Sequence, residues 1–163
     1  MAGLLILGAG RFGRLAWQRL SQREPDAHFC LVDRDPQKLE ALPAAPRLQL
    51  VQGNVAAWLA EALAGDDLPD WIIPAVPSHV AFEWLWLTRP PPAHWRQIPV
   101  PEAVGQGLPF MYRGAEGQLY LSLSTARCPD DCPAPADRCY LSGAPRAYNL
   151  YEYLEKISLQ DYT

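Results

Sequence analysis

The chain has 163 residues, 14 basic and 18 acidic, for a net charge of −4; 49% are hydrophobic and 20% charged. That length suits one compact domain, or one domain with an appendage, and the composition is globular rather than disordered. The acidic balance argues against nucleic acid as a main partner, and no apolar run approaches the ~20 residues that span a bilayer, so no direct membrane insertion is expected.

Residues 1–89 alternate strand-like and helix-like patterns. Residues 4–7, Leu-Leu-Ile-Leu, form a continuous apolar run that suits a strand buried on both faces. The run is too short for a signal core and leads straight into a glycine motif, so a soluble, cytoplasmic protein is expected. Phe12, Leu15, Ala16 and Leu20 then recur at helical spacing. Residues 29–32 predict a second strand ending at Asp33. Residues 36–42 predict a short helix, with Asp35 as N-cap and Pro36 at its first position. Residues 48–51 read as a third strand, followed by a helical stripe of Val55, Leu59, Ala62 and Leu63. Residues 71–76 read as a fourth strand. Ser78 is placed to cap a helix carrying Val80, Trp84 and Leu87. Such alternation indicates a parallel sheet with right-handed crossovers.

Residues 90–163 differ in kind. Ten of the 17 prolines lie between Pro90 and Pro145, which rules out a long helix there. Residues 110–124 look like a hairpin turning at Gly114-Ala115-Glu116-Gly117. Residues 127–146 form a cysteine- and proline-rich loop. Asn149 then caps a last helix with Leu150, Tyr153, Leu154 and Ile157. The expected fold is α/β: a Rossmann-like doubly wound parallel sheet over 1–89, with a Pro/Cys-rich C-terminal appendage over 90–163 containing a hairpin and a helix.

The glycine motif Gly8-Ala9-Gly10-Arg11-Phe12-Gly13 sits between the first strand and the first helix. Gly8 suits the tight turn, Gly10 lets backbone approach a pyrophosphate, and Gly13 allows close helix–strand packing. The helix N-terminus, at Arg11 and Phe12, offers N–H groups and a positive dipole end to phosphates. Asp33 follows Gly13 by 20 residues, where a carboxylate can accept both ribose hydroxyls of NAD. Arg34 beside it leaves room for NADP. Strand, glycines, helix and acid agree in order and spacing.

These residues resemble the NAD-binding domain of bacterial Trk-type potassium-transport regulators, the RCK family. The glycine turn is close to that family's own, and Leu31-Val32-Asp33 matches its strand with the ribose-binding acid. Val51-Gln52-Gly53-Asn54 looks like the next landmark, where the family usually carries Gly-Asp. The resemblance covers residues 2 to about 87. It implies NAD binding and a place as a membrane-transporter subunit, and it does not extend to the cysteine-rich half. Similar glycine turns occur in saccharopine-dehydrogenase-like enzymes.

Ligands of doubly wound sheets bind at the carboxyl ends of strands, so Ala75, Val76 and Pro77 should border a bound dinucleotide. His79 is expected in the first turn of the next helix, where it can act as a general acid or simply hydrogen-bond a loop. Cys128, Cys132 and Cys139 fall within twelve residues. In a chain read as cytosolic, that density points to zinc or an iron–sulfur centre, to a Cys128–Cys132 redox disulfide, or to free thiols. Their C-x3-C-x6-C spacing matches no common ligand pattern, and Cys30 reads as a small buried apolar residue. Tryptophans at helix positions, Trp58, Trp84 and Trp86 among them, read as packing residues, some covering a homodimer surface.

Three functions remain open on these residues. The first is an NAD(H)-binding regulatory or redox-sensing module with a three-cysteine metal site. The second is an NAD-dependent oxidoreductase using His79. The third is a metal-binding or electron-carrying protein on a Rossmann scaffold.

Overall fold

The computed structural model describes residues 3–91, 94–115, 117–133, 135, 137–146 and 148–157. The chain divides into two compact units, Met1–Ala93 and His94–Thr163.

The first unit is a mixed α/β layer structure. Its strands are β1 (Gly3–Leu7), β2 (His28–Asp33), β3 (Leu48–Gln52) and β4 (Trp71–Pro74). Its helices are α1 (Arg11–Arg23), α2 (Pro36–Glu40), α3 (Val55–Ala64) and α4 (Val80–Thr88). All strand pairs are parallel, in the order β3-β2-β1-β4. The chain steps outward from β1 to β3, then returns to the other side of β1, so the order reverses between β1 and β4.

Alternation along the strands assigns two cores. Leu4, Ile6, Phe29 and Leu31 pack with Ala16, Trp17 and Leu20 of α1 and Leu39 of α2. Leu5, Leu7 and Val32 face the other way and pack with Trp58 and Leu59 of α3 and Val80 and Trp84 of α4. Helices thus cover both faces, which is why the central strands read as unbroken apolar runs. Ile6, Leu7, Leu31 and Val32 are the largest fully buried side chains. No helix among the described residues is long and apolar enough to cross a membrane.

Several boundaries differ from the sequence expectation. Helix α2 stops at Glu40 rather than 42. The Leu42 N–H bonds Leu39 O at 3.0 Å, a tightened last turn, and Pro43 disfavours helical geometry at Leu42. Strand β4 stops at Pro74 rather than 76, although Ala75 N still donates to Leu7 O at 2.8 Å. Asp70 accepts the Gly3 N–H at 2.6 Å and ties the start of β1 to the approach of β4.

The second unit holds an antiparallel hairpin, β5 (Phe110–Arg113) and β6 (Leu119–Ser122), and a helix, α5 (Leu150–Glu155). The hairpin occupies the expected place; Glu116 of its turn lies outside the described residues. Gly117 takes φ +85, and a Cβ there would meet Pro99 atoms at 3.0 Å, so both turn and packing call for glycine. A short 3₁₀ turn, Glu102–Gly105, packs on the hairpin, and Tyr153 of α5 donates its hydroxyl to Gln106 O at 2.9 Å. Helix α5 ends before Ile157, and Asp161, Tyr162 and Thr163 lie outside the described residues.

Candidate functional site

The glycine turn lies at the carboxyl edge of the sheet, where the strand order reverses. Gly8 N donates to Val32 O at 2.7 Å, which holds the turn against the end of β2. Gly8 has φ +110, and a Cβ there would lie 2.7 Å from Val76 Cγ1 and 2.9 Å from Ala75 O. Backbone and packing both demand glycine at that position. A Cβ on Gly13 would fall on the carbonyl oxygen of Gly8, so the first turn of α1 approaches the loop more closely than any side chain permits.

Gly10 is different. It is the N-cap of α1, with φ −68, ψ −169 and no side-chain cap hydrogen bond. A Cβ there would meet nothing within 4 Å. Neither its backbone nor its protein neighbours require glycine. Arg11, Phe12 and Arg14 are exposed on the first turn of α1, with the Arg11 guanidinium 5.9 Å from the Phe12 ring centre.

Asp33 closes β2 and is 6% exposed. Its Oδ2 accepts the Ala9 N–H at 2.8 Å, and its Oδ1 accepts the Asp35 N–H at 2.9 Å. Lys38 Nζ stands 4.0 Å from Oδ1. Arg34 is exposed beside it. Sequence reasoning placed Asp33 at the strand end but missed the bond to the glycine loop, which needs the β1–β2 pairing to be known.

Ala75 and Val76 border Gly8, as the contacts of its would-be Cβ record. His79 is exposed and is itself the N-cap of α4, one residue beyond the expected cap at Ser78. Its carbonyl accepts the Glu83 N–H at 2.9 Å, and its side chain makes no cap bond. Asn54 caps α3, its Oδ1 accepting the Ala56 and Ala57 N–H groups at 2.9 and 3.1 Å.

All four cysteines are free thiols. Cys30 is half-buried, and burial pushes its thiol up, against a weaker opposing bond with Trp58. Among the described residues, no group of three or more His, Cys, Asp and Glu side chains is arranged to hold a metal ion. Cys128 and Cys139 line one cavity of about 780 Å³ in the second unit, and Cys132 is not part of that lining.

Cys139 sits in a small hairpin that the sequence did not reveal. Arg138 bridges Pro145, Cys139 N donates to Ala144 O at 2.8 Å, and Gly143 turns the chain with φ +66. The Ser142 hydroxyl, the Ser142 and Leu141 N–H groups and the charge of Arg146 all stabilise the Cys139 thiolate and draw its pKa below the usual thiol value. A serine three residues after a cysteine, followed by Gly143 and Arg146, was the available signal.

Comparison with curated proteins finds none that matches the chain. A family profile described as "Uncharacterized protein, C-terminal domain" (AF_1314_C) matches residues 68–163. The match takes in β4, α4 and the whole second unit, more than half of the chain. The chain belongs to this AF_1314_C family.

Proposed function

We propose that the first unit is a Rossmann-like domain that binds NAD(H), and that the protein acts as a nucleotide-state-sensing regulatory module. One observation carries the reading: Gly10 is a glycine that no protein atom requires. Gly8 and Gly13 answer to packing. Open space at the N-cap of a 13-residue helix suits the close approach of a pyrophosphate to backbone N–H groups.

The other parts fit that ligand. The Gly8–Gly13 turn would cradle the phosphates, with Arg11 and Arg14 adding positive charge. Asp33 would take the adenosine ribose. An ionised carboxylate has about four acceptor positions, and two N–H groups use two of them. Ala75, Val76 and Pro77 would border the middle of the dinucleotide, at the strand reversal. Bound NAD(H) would supply a reversible hydride couple. The regulatory role draws on the resemblance of residues 2–87 to the RCK family.

Titration calorimetry of the full chain with NADH tests the reading. Saturable binding that Gly10→Glu abolishes, without loss of the folded state, is the expected result. Unchanged affinity in that variant, or no binding by the parent chain, would overturn it.

A further inference from the structure

The Cys139 cavity is lined by residues of the second unit alone. Its volume, about 780 Å³, is that of a small-molecule pocket. Two free thiols, Cys128 and Cys139, stand on its wall with Ser142, Arg146 and the apolar Leu121, Leu141 and Leu150. The two thiols are not equivalent. Cys139 is half-buried and is held by the Ser142 hydroxyl and two turn N–H groups; Cys128 is exposed. Such donors favour the thiolate, which is the nucleophile in disulfide exchange. A guanidinium on the same wall matches a carboxylate.

We propose that Cys139 is the attacking thiol of a thiol–disulfide exchange site for low-molecular-weight disulfides bearing carboxylates, and that Cys128 resolves the product. The Cys139 thiolate attacks one sulfur of the small disulfide. A bond forms between that sulfur and Cys139, the original S–S bond breaks, and the other half leaves as a thiolate that is protonated by water. Cys128 then loses its proton to water and attacks the Cys139 sulfur. A Cys128–Cys139 disulfide forms, and the second half leaves as a thiol after taking up a proton. Two protein thiols are oxidised by two electrons, and one small disulfide is reduced to two thiols. Arg146 would hold a carboxylate of the incoming disulfide while Ser142 stabilises the attacking sulfur.

The test uses the full reduced chain and oxidised glutathione, with quenched samples mapped by peptide mass spectrometry. The expected course is reaction at Cys139 at least tenfold faster than at Cys132, ending in a Cys128–Cys139 cross-link. Cys128→Ser should accumulate the Cys139 mixed disulfide. Ser142→Ala should slow Cys139 several-fold, while Ser142→Thr, which keeps the hydroxyl, should restore the rate and show that the turn has folded. Arg146→Gln should slow oxidised glutathione but not the uncharged bis(2-hydroxyethyl) disulfide. Equal reactivity of the cysteines, or a Cys128–Cys132 cross-link, would overturn the proposal. So would protection of all three thiols until a chelator is added, which would return them to a shared metal.

Discussion

Ala9 donates its backbone N–H to Asp33 Oδ2 at 2.8 Å, joining the glycine loop to the end of β2 across 24 residues of sequence. The carboxylate is a structural tie before any ligand arrives. Asp33→Ala would leave buried donors without their acceptor and should cost about 1–3 kcal/mol of stability with no nucleotide present. Urea unfolding of the unliganded variant measures this, and an unchanged midpoint would show that the tie holds nothing. The same variant should weaken NADH by about 1.5–3 kcal/mol, the range for a charged acceptor, and NADPH by less.

The glycines should separate folding from binding. Gly13→Ala places a Cβ on the Gly8 carbonyl oxygen and forces α1 from the sheet, an overpacking cost of about 1–3 kcal/mol or more. Gly10→Ala meets no neighbour, so its stability should stay within about 1 kcal/mol of the parent. Its NADH affinity should nonetheless fall at least about tenfold, or 1.4 kcal/mol. Thermal melts paired with calorimetry would show the split; a parallel loss in both variants would contradict it.

Asn54 offers a third test. As the α3 cap it satisfies two N–H groups, so Asn54→Ala should cost about 0.5–2 kcal/mol. Asn54→Asp, the residue that RCK-type chains usually carry there, should keep most of that stability because either side chain caps through the same oxygen. Denaturant midpoints of the two variants decide the matter.

Helix α5 should fray in acid. The Asn149 backbone N–H donates to Glu152 Oε2 at 2.7 Å, and with the Asn149 side chain it holds the Glu152 carboxyl below its usual range. The folded value lies below the unfolded one, so the contribution is complete above the unfolded value of about 4.3. It is lost as pH falls through the lower folded value. Exchange of the Asn149 amide, corrected for its intrinsic rate, should lose protection below about pH 4 in the parent chain. In Glu152→Ala, protection should already be low at neutral pH.

Local rules made much of the first unit legible. Asp35 and Pro36 start α2 where capping chemistry says they should, and Asp35 accepts the Gln37 N–H at 3.1 Å. The apolar run of β1 foretold a strand covered on both faces. What stayed hidden depends on contacts distant in sequence. The Asp33–Ala9 bond needs strand pairing, and the separation of Cys132 from the cavity that holds Cys128 and Cys139 needs the loop's path. Leu50 shows the same limit: a strand read from local pattern does not say whether it lies at the sheet's edge, and β3 does, leaving Leu50 38% exposed.

Pro74 gives the other edge of the sheet a protective character. Because Ala75 N points inward to Leu7 O, alternation turns the Pro74 nitrogen away from β1, toward the side of β4 on which no strand pairs among the described residues. A strand from a neighbouring molecule, seeking to extend the sheet there, would find no donor at that rung. One imino acid in an otherwise sticky Trp-Ile-Ile segment thus discourages fibril-like stacking of one copy on another.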